Sequence, residues 1–375
     1  MKEGWKDRDF VECLKKVPKQ KAVKSKDYLD VGLYPIVSQE SCLVSGYSNL
    51  ADILYKHDRP VVIFGDHTKN VKYVDFDFIV GADGVHIFEV KDDILPKFFY
   101  YELSSIKLRD LGYARHYKLL KEKRISFPSL TEQERIVSYL DAEFAKIDAL
   151  KANIEQQLQA SKDLFQSALK EMLTPKEGWE EKKLKDICTS IKDGDWIERK
   201  DQSISGIRLL QTGNIGVGIY KDKLDSPHYI SLDTFNRLHC EEVFEGDILL
   251  SRLPEPVGRA CLVPKMEGRF ITAVDCSIIK LNTDKISHEY FIFYTQTNAY
   301  FKNISSLCTG TTRQRISRKR LEEVTISFPS LQEQREIVAI LDSLSDKVKA
   351  LQENYNKALV LCNDLKQSLL KSIFE

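Results

Sequence analysis

Ile125-Ser126-Phe127-Pro128-Ser129-Leu130 recurs letter for letter as Ile326-Ser327-Phe328-Pro329-Ser330-Leu331. From Ile125 to Asp141, twelve of seventeen positions match at a constant offset of 201 residues, including Glu132/Glu333, Gln133/Gln334, Ile136/Ile337, Val137/Val338, Leu140/Leu341 and Asp141/Asp342. A repeat this long, seen twice, describes two domain-plus-helix units rather than a solenoid. Such a chain is expected to need two similar bodies.

After each copy the pattern turns helical. Ser129 with Glu132 and Ser330 with Glu333 fit the S-x-x-E capping box, in the same register. Leu140, Phe144, Ile147, Ile154, Leu158, Phe165, Ala168 and Met172 then follow alternating steps of four and three. Leu341, Val348, Tyr355, Leu359, Cys362, Leu369 and Ile373 do the same. An average of 3.5 residues marks a coiled-coil seam. Lys151, Ser161, Ser345, Gln352 and Lys366 interrupt it, which suits a seam set for register more than for strength. Each helix should be a rod of roughly 65 Å at 1.5 Å per residue. The first leaves one globule and ends at the other, so its twin can pair with it only by running back. The predicted architecture is therefore α+β: globules at 1–128 and 175–329, joined by antiparallel coiled-coil helices at 129–174 and 330–375, with a pseudo-two-fold between the halves.

The globules begin alike, Lys2-Glu3-Gly4-Trp5 and Lys176-Glu177-Gly178-Trp179, and then diverge. Short apolar runs at Pro60–Phe64, Phe78–Val80, Ile248–Leu250 and Arg259–Val263 read as strands, with turns at Gly81–Gly84 and Asp193–Asp195. Similar frames with dissimilar contents suit two readers of different sequences.

With 375 residues, 42 % hydrophobic and 30 % charged, the composition is that of a soluble globular protein of two or three domains. No apolar run reaches membrane-span length and the first residues lack a signal peptide's apolar core, so a cytoplasmic protein is expected. The eight cysteines form no C-x-x-C pair, which argues against zinc and, without secretion, against disulfides. Net charge is zero, but cations cluster at Lys15–Lys26, Lys107–Arg124 and Arg313–Arg320. A phosphate backbone is felt only within about 8–10 Å at physiological salt, so local basic faces suffice for DNA.

The chain at this point resembles the specificity (S) subunit of type I restriction-modification systems over its whole length. The likeness rests on the duplicated Phe-Pro-Ser-Leu-x-Glu-Gln, on Leu209-Leu210-Gln211-Thr212-Gly213-Asn214-Ile215, and on Thr309-Gly310-Thr311-Thr312-Arg313-Gln314. It implies that each globule is a target recognition domain and each helix a spacer. It also implies two modification (M) subunits forming a DNA-adenine methyltransferase, added restriction (R) subunits forming an ATP-dependent endonuclease, and double-stranded DNA with two unlike half-sites. The first globule departs from the pattern, with Gly112-Tyr113-Ala114-Arg115-His116-Tyr117 in place of the Thr-Gly-Thr-Thr run.

Catalytic motifs are absent. No adjacent prolines exist for the Asn/Asp-Pro-Pro-aromatic motif of amino-methyltransferases, and no Gly-Lys-Ser/Thr for a Walker A cradle. S-adenosylmethionine, ATP and Mg²⁺ are expected on the partner subunits, with no cofactor or metal on this chain. Asp83 with Glu89-Val90-Lys91 imitates a metal-dependent nuclease, but the pattern also describes a strand whose polar residues face water. A coiled-coil scaffold whose globules bind protein is the other alternative, against which an intramolecular twin outcompetes a second chain. For DNA reading, the second globule offers Thr212, Asn214, Arg252, Arg313, Gln314 and Arg315, where Arg and Gln side by side suit guanine and adenine edges. The first offers His67, Lys69, Lys72, Arg115, His116, Tyr117 and Lys118. The bland counterparts are an anchoring loop, a turn role for Asn214 and a solvated basic face.

Overall fold

The computed structural model describes residues 4–112, 114–310 and 314–375. Two 44-residue helices, Leu130–Leu173 and Leu331–Phe374, follow the two copies of the repeated hexapeptide. The chain divides into two compact units, one running through Glu155 and rejoined by Asn356–Glu375, the other Gln156–Tyr355. Each unit therefore holds one globule, the head of one long helix and the tail of the other.

In the first unit Ile136 and Leu140, at the head of the first helix, share a buried cluster with Leu370 near the end of the second. Phe374 sets its ring edge-on to Phe98, centroids 5.3 Å apart. In the second unit Leu169 and Leu173 meet Ile337 and Leu341. Head lies against tail in both, so the helices pack antiparallel. Lys366, one of the seam's interruptions, is put to use: its ammonium lies 2.5 Å from Asp148 of the other helix and over the Phe144 ring. Ser161, another, is buried with its hydroxyl on Leu158 O.

What joins helix to globule is the same device twice. Strand Lys6–Asp9 pairs antiparallel with Arg124–Phe127, and Glu180–Lys183 pairs with Thr325–Phe328 in the identical register, Lys6 opposite Phe127 and Glu180 opposite Phe328. Just beyond, Gln133 and Gln334 are 0 % exposed. Gln133 Nε2 donates to Pro128 O and Asp93 O, both at 3.0 Å, while its Oε1 accepts from Leu95 N–H at 2.8 Å. Gln334 repeats this with Pro329 O and Lys285 O at 2.9 Å and Ser287 N–H at 2.9 Å. An amide is the one side chain able to supply two donors and an acceptor without charge, and here all three act on main-chain groups that burial would otherwise orphan.

The globule of the first unit carries a five-stranded mixed sheet built around Phe78–Gly81 and a three-stranded antiparallel one, Val71–Val74, Val61–Gly65 and Val85–Phe88. Phe10, Phe64, Phe88, Phe98 and Phe99 fill the space between strands, the helix Pro96–Ser105 and the long-helix head. In the second unit, Cys188–Asp193, Cys276–Leu281, Ile248–Ser251 and Ala260–Leu262 form a four-stranded antiparallel sheet. A five-stranded sheet centred on Ile207–Leu210 lies in the same unit.

Some local expectations are corrected. The most buried tail residues are Leu169, Leu173 and Leu370, each one position past the predicted seam residues Ala168, Met172 and Leu369. There a helix faces a globule as well as its twin, so its apolar stripe widens. Only half of a capping box forms at Ser330, whose Oγ accepts from Glu333 N–H at 3.3 Å. The Glu333 carboxylate accepts instead from Trp179 Nε1, and Glu132 pairs with Arg135. Asp193-Gly194-Asp195 is no free turn: Gly194 N–H donates to Cys276 O, and a Cβ at Gly194 would lie 2.3 Å from Ala273 O. Only glycine allows that approach.

Replacing either clamp glutamine by leucine keeps the volume but takes the side-chain partner from three main-chain groups, one buried and two half-buried. Gln133→Leu and Gln334→Leu are each expected to cost about 2–4 kcal/mol, measured by urea unfolding against the exposed mid-helix control Gln159→Leu. A loss indistinguishable from that control would refute the clamp.

Glu102 generates a second expectation. It is buried beneath Arg124–Phe127, with Oε1 accepting from Ser126 N–H at 2.8 Å and Oε2 without a hydrogen-bond partner. Burial pushes its carboxyl up from 4.5 to about 8. Between those values the folded state holds a proton that the unfolded state has lost, so stability falls as pH rises from about 4.5 to 8. Each pH unit of that window is worth at most about 1.4 kcal/mol. Glu102→Gln should be close to neutral at pH 5 and stabilising by on the order of 3 kcal/mol at pH 8. Thermal melts of both proteins across that range check it; parallel curves would count against a protonated Glu102.

Candidate nucleic-acid interface

In the first globule Arg115, His116 and Tyr117 converge on Asp66, which is 3 % exposed. Its Oδ1 accepts from Tyr117 N–H at 2.8 Å, and its Oδ2 lies 3.3 Å from His86 Nε2 and 3.9 Å from Arg115 Nε. Burial works to raise the Asp66 carboxyl, but the Tyr117 N–H and His86 outweigh it and hold it below the usual carboxylate range. The anion thus pins the 115–118 segment against strand Val85–Phe88. Tyr117 stacks on His86, ring centroids 4.0 Å apart. Arg115, its side chain 78 % exposed although it reaches back toward Asp66, and the exposed Lys118 lie on the surface of this segment. A hollow of about 570 Å³ opens beside them, bordered by Lys15, Lys19, Asp83, His86, Arg115 and Tyr117. Lys15 also reaches Asp92.

His67 and Lys69 sit on the neighbouring 66–70 loop, where Lys69 adopts a positive φ of 62° and pairs with Asp110 at 3.0 Å. Two expectations are corrected. Lys72 is 6 % exposed, its ammonium donating to Ser38 O and Cys42 O at 2.7 and 2.5 Å. Its strand alternates in and out, and position 72 points in. His116 is fully buried, with Nε2 accepting from Leu111 N–H and Nδ1 left to donate to Asp66 O. Both side chains turn inward and brace loops. Of the imitation nuclease set, Glu89 accepts from Tyr55 O–H, and among the described residues no cluster of three or more His, Cys, Asp or Glu is arranged to hold a metal ion.

In the second globule Gln314 and Arg315 are exposed, and the Arg315 guanidinium lies 3.4 Å from Asp275. Asp275 also borders a hollow of about 350 Å³ together with Arg208, Thr212, Gly213, Lys223 and His228. Arg208 is paired with Asp222. Arg313 lies outside the described residues. Asn214 and Arg252 are corrected. Asn214 is 5 % exposed and closes its own turn, Oδ1 accepting from Gln211 N–H at 2.9 Å and Nδ2 donating to Lys221 O at 3.0 Å. Arg252, 4 % exposed, donates to Val274 O and lies 3.5 Å from Asp193. It ends a central strand, where both faces are covered.

Sequence reasoning missed His86, Arg208, Lys223 and His228. Arg208 and His86 lie within strands, so no loop signal marks them. Lys223 was discoverable: it belongs to the polar stretch after Tyr220, and its ammonium lies over Gly213, 2.4 Å from where a Cβ would stand.

The family model described as type I restriction modification DNA specificity domain matches residues 2–160 and 176–359. The chain is 26 % identical over 367 residues to the type I restriction enzyme EcoR124I/EcoR124II specificity subunit of Escherichia coli, covering 92 % of this chain and 87 % of that protein. It is 26 % identical over 275 residues to the EcoKI specificity subunit of Escherichia coli strain K12, covering 67 % and 56 % respectively. Among solved structures, a chain from a study of complex assembly and conformational transition of the type I R-M system superposes with a TM-score of 0.73 at 20 % identity, covering 100 % of this chain and 98 % of that one. The HsdS subunit from Thermoanaerobacter tengcongensis superposes at 0.51 and 20 % identity, covering 99 % and 97 %. These two likenesses concern the fold. Matched through both of its halves, the chain belongs to the type I restriction-modification DNA specificity family.

Proposed function

We propose that this chain is the non-catalytic DNA-reading subunit of a type I restriction-modification complex. Each globule, residues 1–128 and 175–329, is a target recognition domain for one half of a bipartite, asymmetric double-stranded target. Two M subunits methylate adenine where the chain directs them, and R subunits add cleavage. S-adenosylmethionine, ATP and Mg²⁺ belong to those partners, and the assembly works in the cytoplasm. The observation that carries this reading is the contrast between frame and content. The strand pair and glutamine clamp agree in register and hydrogen bonds, while the hollows on the two globules are bordered by different residues, His86, Arg115 and Tyr117 in one and Arg208, Lys223 and Asp275 in the other.

The helices support a pair of like partners. Tyr139, Leu150 and Leu164 of the first are 49, 52 and 56 % exposed. Each, moved by 201 residues, falls on an exposed apolar residue of the second: Ile340, Leu351 and Leu365 at 55, 43 and 48 %. Steps of eleven and fourteen keep the three close to one helix face. Apolar residues repeated at matching exposed positions are wasteful in water and suited to two copies of one partner surface.

Mapping methylated adenines genome-wide, with this gene present and deleted, tests the reading. A two-part motif that vanishes on deletion is expected; methylation that persists unchanged would refute it. Leu150→Glu and Leu351→Glu should each remove one methyltransferase copy from the purified complex, and the double variant both, read by native mass spectrometry. In direct DNA titrations Arg115→Ala, which leaves the core intact, should lower affinity about 3–10-fold. If Arg115 meets phosphate rather than a base, it should also reduce the salt slope by about one.

A further inference from the structure

Three cations are buried in the described residues: Lys72, Arg252 and Arg259. Arg252 has Asp193 nearby, but Lys72 and Arg259, 6 and 7 % exposed, have no carboxylate within ion-pair distance among the described residues. Their partners are carbonyl oxygens. Arg259 Nε donates to Ile215 O at 2.7 Å, and one terminal nitrogen to Thr212 O at 2.8 Å. The other terminal nitrogen donates to Leu253 O at 2.8 Å and Pro256 O at 3.0 Å. One guanidinium thus gathers two loops, 212–215 and 253–256. The first borders the hollow shared with Arg208 and Lys223, and the second borders another that includes Gln314.

Lys72 does the like in the other globule. It holds Ser38 O and Cys42 O, fixing the loop between two strands. Gln39 in that loop accepts at its carbonyl from Thr68 Oγ and Asn70 Nδ2, and its side chain joins His67 N–H to Asp83 O. The loop carrying His67 and Lys69 takes its shape from the one that Lys72 anchors.

A buried cation is a poor way to stabilise a fold, since an apolar replacement of similar volume is often neutral or better. The strands beside Arg259 are already paired, Ile248–Ser251 with Ala260–Leu262 and with Cys276–Leu281. What the cation adds is a defined loop backbone. We propose that Arg259 and Lys72 are positioning residues for sequence recognition, each shaping the loops that read one half-site without touching DNA. The inference rests on the DNA-reading function proposed above.

Selection from a random duplex DNA library by the full-length chain tests it, with wild type, Arg259→Met, Arg259→Lys and Lys72→Met compared. Wild type should enrich a two-part motif. Arg259→Met should flatten one half and Lys72→Met the other, each cutting discrimination against a scrambled half-site at least about tenfold. The untouched half should keep its full preference, a result that general destabilisation does not produce. Should Arg259→Met fail to fold, Arg259→Lys decides, since it keeps the charge but offers one donor atom in place of three and should weaken the same half. Variants that enrich the wild-type motif unchanged, or lose both halves equally, overturn the inference alone. A wild type that enriches no sequence overturns the proposed function and this inference with it.

Discussion

The buried amide of the repeated glutamine is the constraint on which each half of the molecule depends. A helix beginning at Leu130 or Leu331 could leave its globule at many angles. Three hydrogen bonds from Gln133 or Gln334 to main-chain groups, one group in the helix approach and two just before the globule's own helix, allow only one. Because the amide satisfies backbone groups, the neighbouring side chains are free to differ. Leu95 stands in one copy where Ser287 stands in the other, and the geometry of the clamp is kept.

Apolar packing then completes what the clamp begins. Leu140 and Leu341, both fully buried, seal each helix head against its globule, and the tail of the other helix closes the cluster with Leu370 or with Leu169 and Leu173. The charges scattered along the seam are not defects in this arrangement. Lys366 reaches across to Asp148, so a position that weakens a strict heptad gives the pairing a polar checkpoint of the kind that favours one alignment over its slipped alternatives.

The helices and their direction were legible in the sequence because a duplication displays its own rules: what two copies keep, the fold needs. Gln133 and Gln334 were visible as matches, although nothing in the letters said that their partners would be carbonyls at Asp93 and Lys285. The recognition surfaces were less legible. A lysine or arginine near a polar loop reads as a DNA contact whether it points out, as Arg115 and Lys118 do, or in, as Lys72 and Arg252 do. That choice is made by groups distant in the chain, Ser38 for Lys72 and Val274 for Arg252, which no local pattern connects. His86 was overlooked for the converse reason: it lies in a strand, and only the fold brings the Tyr117 ring onto it.

The short two-stranded ribbon at the base of each globule has a consequence for the rest of that globule. Chain enters at Lys6–Asp9 and departs at Arg124–Phe127, side by side; the same holds for Glu180–Lys183 and Thr325–Phe328. Everything between is a cassette whose two wires meet at one socket. The offset between the halves grows from 174 residues at Trp5/Trp179 to 201 at the helix start, so the second cassette is 27 residues larger and still plugs into an unchanged fitting. Because the two strands of each ribbon lie side by side, the length and contents of a cassette can differ while its attachment to the long helix stays the same.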